Sequence, residues 1–79
     1  MAGRLADAEA CFRRLTLLTP QNAQAHYNLG ATLQSQGKLA EAEACYQQAL
    51  ALVPTDARTL NNLGAVRQQL ADLQGAEQL

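Results

Sequence analysis

The chain has 79 residues, 48% of them hydrophobic but 4% aromatic, with six basic and seven acidic side chains and a formal charge of −1. Alanine (16), leucine (14) and glutamine (10) dominate, with two valines and no isoleucine; so few β-branched and aromatic residues exclude an all-β fold and favour stacked helices. Balanced charge excludes the basic footprint of a nucleic-acid binder. No apolar stretch is long enough to span a membrane, and Met1 to Ala10 lacks the apolar core of a secretory leader.

A first helix is expected within residues 2–22, with Asp7 and Glu9 in early turns where the helix dipole favours negative charge, and Pro20 stopping it. Asn22 is placed to cap the next helix. There His26, Leu29, Gly30 and Leu33 fall at i, i+3, i+4 and i+7, one stripe of a helix. Gly37 ends that helix. A third begins near Leu39 and is expected to bury Leu39, Ala42, Tyr46, Ala49, Leu50 and Val53; Glu41 and Glu43 lie in its early turns, and Pro54 stops it. Asp56 then caps a helix that repeats the stripe as Leu60, Leu63, Gly64 and Arg67. With the start of one more helix near the C-terminus, five helical segments are expected.

These segments recur. Residues 2–35 align with 36–69 without a gap, a shift of 34. Gly3 falls on Gly37, Leu5 on Leu39, Ala8 on Ala42, Cys11 on Cys45, Phe12 on Tyr46 and Pro20 on Pro54. Asn28-Leu29-Gly30-Ala31 falls on Asn62-Leu63-Gly64-Ala65. Gly30 and Ala42 present almost no side chain, so paired helices can approach closely, and Gly64 is expected to face a crossing helix likewise. A 34-residue hairpin cannot cover its own apolar face and must stack on others of its kind.

Catalytic groups are scarce. The one histidine, His26, lies on the inward stripe and reads as a packed core residue, and the one serine, Ser35, has no base to activate it. The isolated glycines make no phosphate loop, so no enzyme activity and no cofactor are expected. Cys11 and Cys45 occupy equivalent places in successive units, about 10 Å apart, one helix diameter. A disulfide needs Cα atoms within about 7 Å, and no second histidine or Cys-x-x-Cys completes a metal site. They read as buried free thiols in a reducing, cytoplasmic setting. Arg67, on the inward stripe, is expected to lay its stem on apolar neighbours, or else to pair with a residue of a following helix.

The residues Asn28-Leu29-Gly30, Gly37, Leu39, Ala42, Tyr46, Ala49-Leu50 and Pro54 resemble the tetratricopeptide repeat family, whose units are 34-residue helix-turn-helix pairs. The resemblance implies an all-α fold, an alpha-alpha superhelix of stacked antiparallel helix pairs holding about two repeats. In that frame 2–22 is the second helix of a preceding repeat, 23–56 a complete repeat, and 57–79 an incomplete following one. About three repeats are normally needed for stability. Two therefore point to a segment of a longer array, or to one that associates with another copy through exposed ends carrying Leu73 and Leu79.

In that family the first helix of each pair lines a concave surface that receives a partner. The resemblance thus implies a protein–protein interaction scaffold, its peptide-contacting positions being Gln24, Tyr27, Asn28, Ala31 and Gln34, with Arg58, Asn61, Asn62, Ala65 and Gln68 on the next such helix. Asn28 and Asn62 are similar to the inner asparagines of O-linked N-acetylglucosamine transferase-type repeats. Such amides could bond a peptide backbone; they could equally bond neighbouring helices, and both readings stand. The cations of a carboxylate clamp are missing, Arg58 excepted. Two alternatives belong to other classes: a substrate-recruiting segment of a glycosyl- or sulfo-transferase-type enzyme, and a structural self-assembly module.

Overall fold

A computed structural model describes the backbone of residues 2–78 and the side chains of 3–75. The described residues form four helices and no strand: α1 (Ala2–Leu18), α2 (Ala23–Ser35), α3 (Leu39–Leu52) and α4 (Ala57–Gln78). Successive helices pack on each other, α2 against α3 most extensively, and α2 also reaches α4. This is the all-α stack of helix pairs that the 34-residue recurrence predicts. No helix among the described residues is long and apolar enough to cross a membrane.

The helix ends follow local chemistry. Asn22 caps α2 by accepting from the Ala25 amide at 3.3 Å. Asp56 opens α4, accepting from the Arg58 amide at 3.1 Å and the Thr59 hydroxyl at 3.0 Å. Burial would raise the Asp56 carboxyl, but the Thr59 hydroxyl, then the Arg58 guanidinium and lastly its amide overcome it and hold the group below its ordinary value. Pro20 and Pro54 both lie in the turns between helices, where a missing N–H costs nothing. At the end of α2, Gly37 adopts φ +79° while the Lys38 amide donates to Leu33 and the Gly37 amide to Gln34. That pair of bonds satisfies carbonyls the helix would otherwise leave orphaned.

The core is one seam. Leu29 and Leu33 of α2, Ala42 and Tyr46 of α3, and Leu63 and Val66 of α4 form it, with Phe12, Leu39, Leu50 and Leu70 packed half-buried around it. Each large apolar side chain fully buried there contributes about 1.5–3 kcal/mol.

Several expectations need correction. The described residues hold four helices instead of five, because α4 runs straight through Ala71, the position equivalent to Gly37. A Cβ makes the left-handed turn that Gly37 takes unfavourable, by about 1–2 kcal/mol. Val53 is not on the buried side of α3; it is the residue after the helix and is exposed. Gly64 faces open space instead of a crossing helix, whereas its counterpart Gly30 is covered by the ring of Tyr46. Arg67 is exposed and pairs with Glu43 of α3 at 3.0 Å, a partner on the preceding helix that the spacing did not suggest. His26 is half-buried, its Nε2 2.9 Å from the Pro20 carbonyl, so it ties α2 to the preceding turn and is not a core residue. Cys11 is exposed and Cys45 half-buried, both as free thiols, because α1 is covered on one side alone. The expected exposure of Leu73 is observed; that of Leu79 lies outside the described residues.

Glu41 and Glu43 do more than complement a helix dipole. Arg13 of α1 donates to Glu9 from Nε and to Glu41 of α3 from Nη2, each at 2.7 Å. Glu9, 15% exposed, also accepts from Gln36 at 2.9 Å and from Lys38 at 3.0 Å. Arg13, then Gln36 and Lys38, hold the Glu9 carboxyl at about 2 against its ordinary 4.5.

Candidate functional site

Gln24, Tyr27, Asn28, Ala31 and Gln34 share one side of α2 because they recur at steps of three and four. Arg58, Asn61, Asn62, Ala65 and Gln68 repeat that spacing on α4. The fold brings six of the ten into a network of two hydrogen-bonded clusters, Arg58–Gln24–Asn28 and, through Tyr46, Gln34–Asn62–Tyr27, joined by the contact of Arg58 with the Tyr27 ring, and leaves four outside it. Ala31 and Ala65 are apolar, Asn61 is exposed, and Gln68 donates to Asp72 of its own helix at 3.1 Å.

The network is ordered by a chain of donors. Arg58 can only donate, and its Nη2 reaches Gln24 Oε1 at 2.8 Å. That turns the Gln24 amide nitrogen toward Asn28, whose Oδ1 accepts at 2.9 Å. Asn28 is thereby left presenting Nδ2, a donor. On the other side the buried Tyr46 hydroxyl donates to Gln34 Oε1 at 2.7 Å. Its oxygen can then only accept, which orients Asn62: Nδ2 donates to the Tyr46 hydroxyl at 3.4 Å and to the Tyr27 hydroxyl at 3.2 Å. Asn62 is left presenting Oδ1, an acceptor. Two equivalent asparagines therefore show opposite polarities.

The two rings whose hydroxyls meet Asn62 also pack on each other. Tyr27 and Tyr46 lie 5.9 Å apart between centroids, tilted at 45°, a favoured geometry for ring pairs. The Arg58 guanidinium sits 4.4 Å above the Tyr27 ring, close enough for a cation–π contact, and 3.6 Å from Asp56. Its charge is thus partly neutralised by its own neighbours. Burial pushes the Tyr46 hydroxyl above its ordinary value, so it stays protonated and keeps donating to Gln34.

Tyr46 was missed as a member of this face, being expected to fill core space alone. The signal was present: the equivalent residue is Phe12, and a buried hydroxyl in place of a hydrogen calls for a polar partner. Among the described residues no cluster of three or more His, Cys, Asp or Glu side chains could hold a metal ion.

Two family models for the tetratricopeptide repeat match this chain, one over residues 23–56 and the other over 45–78. The chain belongs to the tetratricopeptide repeat family. The first match coincides with the unit made of α2, α3 and the turn ending at Asp56; the second joins most of α3 to α4. No curated protein matches the chain. Tetratricopeptide repeats are in general protein-interaction scaffolds and typically non-catalytic.

Proposed function

We propose that this tetratricopeptide repeat chain binds an extended peptide or protein segment across the face shared by α2 and α4. The observation that carries the reading is the pair of opposite polarities at equivalent positions, a donor at Asn28 Nδ2 and an acceptor at Asn62 Oδ1. An extended backbone offers one C=O and one N–H per residue whatever its side chains, so such a pair suits main-chain recognition with little sequence preference. The Tyr27 ring supplies apolar contact between them. Arg58, already engaged by Gln24, Tyr27 and Asp56, favours ligands without dense charge. Two free thiols are in keeping with a reducing compartment.

Fluorescence anisotropy with a pool of dye-labelled, uncharged, extended peptides tests this. One lost hydrogen bond of about 0.5–1.5 kcal/mol corresponds to roughly a two- to tenfold change in affinity. Asn28→Ala and Asn62→Ala should each weaken capture by that factor while the helical circular dichroism signal is kept. Undiminished capture in both variants rejects the reading.

A second reading, self-association through the ends of the stack, is favoured by a specific observation. Leu17 and Leu18 on α1 are 82% and 72% exposed, and Leu60 and Leu73 on α4 are 50% and 55% exposed.

A further inference from the structure

Among the described residues two helix faces lack a neighbour, and each carries what the other lacks. Inside the stack, Tyr46 of α3 lies over Gly30 of α2 so closely that a Cβ at Gly30 would stand 2.7 Å from its ring. Gly64 repeats Gly30 on α4, yet nothing lies within 4 Å of where its Cβ would be. The counterpart of Tyr46 is Phe12 on α1, half-buried, with one side packed on the core. Around it, Leu5 and Ala8 repeat Leu39 and Ala42 of α3.

The polar detail agrees. Where Tyr46 meets Gly30, its hydroxyl needs Gln34. Phe12 has no hydroxyl, and Gln68, the counterpart of Gln34, spends its amide on Asp72 of its own helix. Arg67, at the place equivalent to the buried Leu33, is drawn toward Glu43.

We propose that α1 of a second copy packs on α4 and seats Phe12 over Gly64, as Tyr46 seats over Gly30. The α4–α1 contact then repeats the α2–α3 interface between chains. Head-to-tail stacking is one form of the self-association read from the exposed leucines, and gives it a direction. It is heterologous, so it extends without closing. Pairing of two α4 helices would also cover Leu60, but it brings no ring to either Gly64 and stops at two copies.

Sedimentation of the 79-residue chain over a concentration series tests this, with Gly64→Leu as the variant. Gly64 faces open space, so leucine there fills the notch without entering the core. Wild type is expected to gain mass past two copies as concentration rises, and Gly64→Leu to stay at one copy with unchanged helical signal. The variant keeps its α1 face, so an excess of it should reduce dye-labelled wild type to two-copy complexes. Wild type that stays monomeric at millimolar concentration overturns self-association and the stack together. A variant that assembles like wild type, or an excess that leaves labelled wild type at its own size, overturns the stack alone.

Discussion

Two glycines related by the repeat show how far one residue's meaning depends on its neighbour. Gly30 is held under the ring of Tyr46, which is itself fully buried and bonded to Gln34. The ring cannot swing away from an added methyl without losing both. Gly30→Ala should therefore destabilise the fold: overpacking costs about 1–3 kcal/mol, against a gain in helix propensity of about 1 kcal/mol. Gly64→Ala meets nothing within 4 Å, so the propensity gain stands alone and the variant should be more stable by roughly 0.5–1 kcal/mol. Urea denaturation of the pair, in dilute solution, checks both signs; equal shifts would contradict the placement of the Tyr46 ring.

Among helices, the carboxylate of Glu9 joins α1 to the turn between α2 and α3 through Gln36 and Lys38, and Arg13 extends the link to Glu41. The Glu9 carboxyl titrates at about 2 in the fold, below its ordinary 4.5. The folded state thus binds fewer protons than the unfolded state in that interval, and its stability falls as pH falls. The contribution is complete above about 4.5 and fades toward pH 2. Glu9→Gln should be less stable than wild type at neutral pH, with the gap narrowing as pH drops from 4.5 toward 2. Denaturation midpoints measured across that range check it, and a gap that widens in acid contradicts the ion network.

Over the whole molecule, burial is uneven. Among the described residues every fully buried side chain lies between Ala25 and Val66, in α2, α3 and the first part of α4. None of the described residues of α1 is buried, and residues 71–75 of α4 are all exposed. Local opening is cheapest where apolar contact is least. Amide hydrogen exchange in dilute solution should therefore be slowest in α2 and α3 and fastest in α1 and in α4 beyond Leu70. Protection of α1 equal to that of α2 would mean that α1 is covered on both sides.

Much of this architecture was legible along the chain because its causes are local. The 34-residue spacing, the turns at Pro20 and Pro54, the caps at Asn22 and Asp56 and the positive φ at Gly37 depend on one residue and its few neighbours. The all-α stack follows from them, since an apolar stripe repeated at that interval has to be covered by its own kind. The ten candidate positions were implied by the family resemblance, and periodicity puts each set of five on one helix face, but neither gives their chemistry.

Tertiary structure alone decided which repeated positions are equivalent in environment. Gly64 lacks the ring that Gly30 has, Arg67 turns to Glu43, Ala71 stays helical, and Asn28 and Asn62 end with opposite polarities. Each outcome depends on a side chain at least a dozen residues away, or on a turn that a single Cβ disfavours. Spacing alone carries no record of such partners: which donor meets which acceptor is set by the geometry of the folded chain.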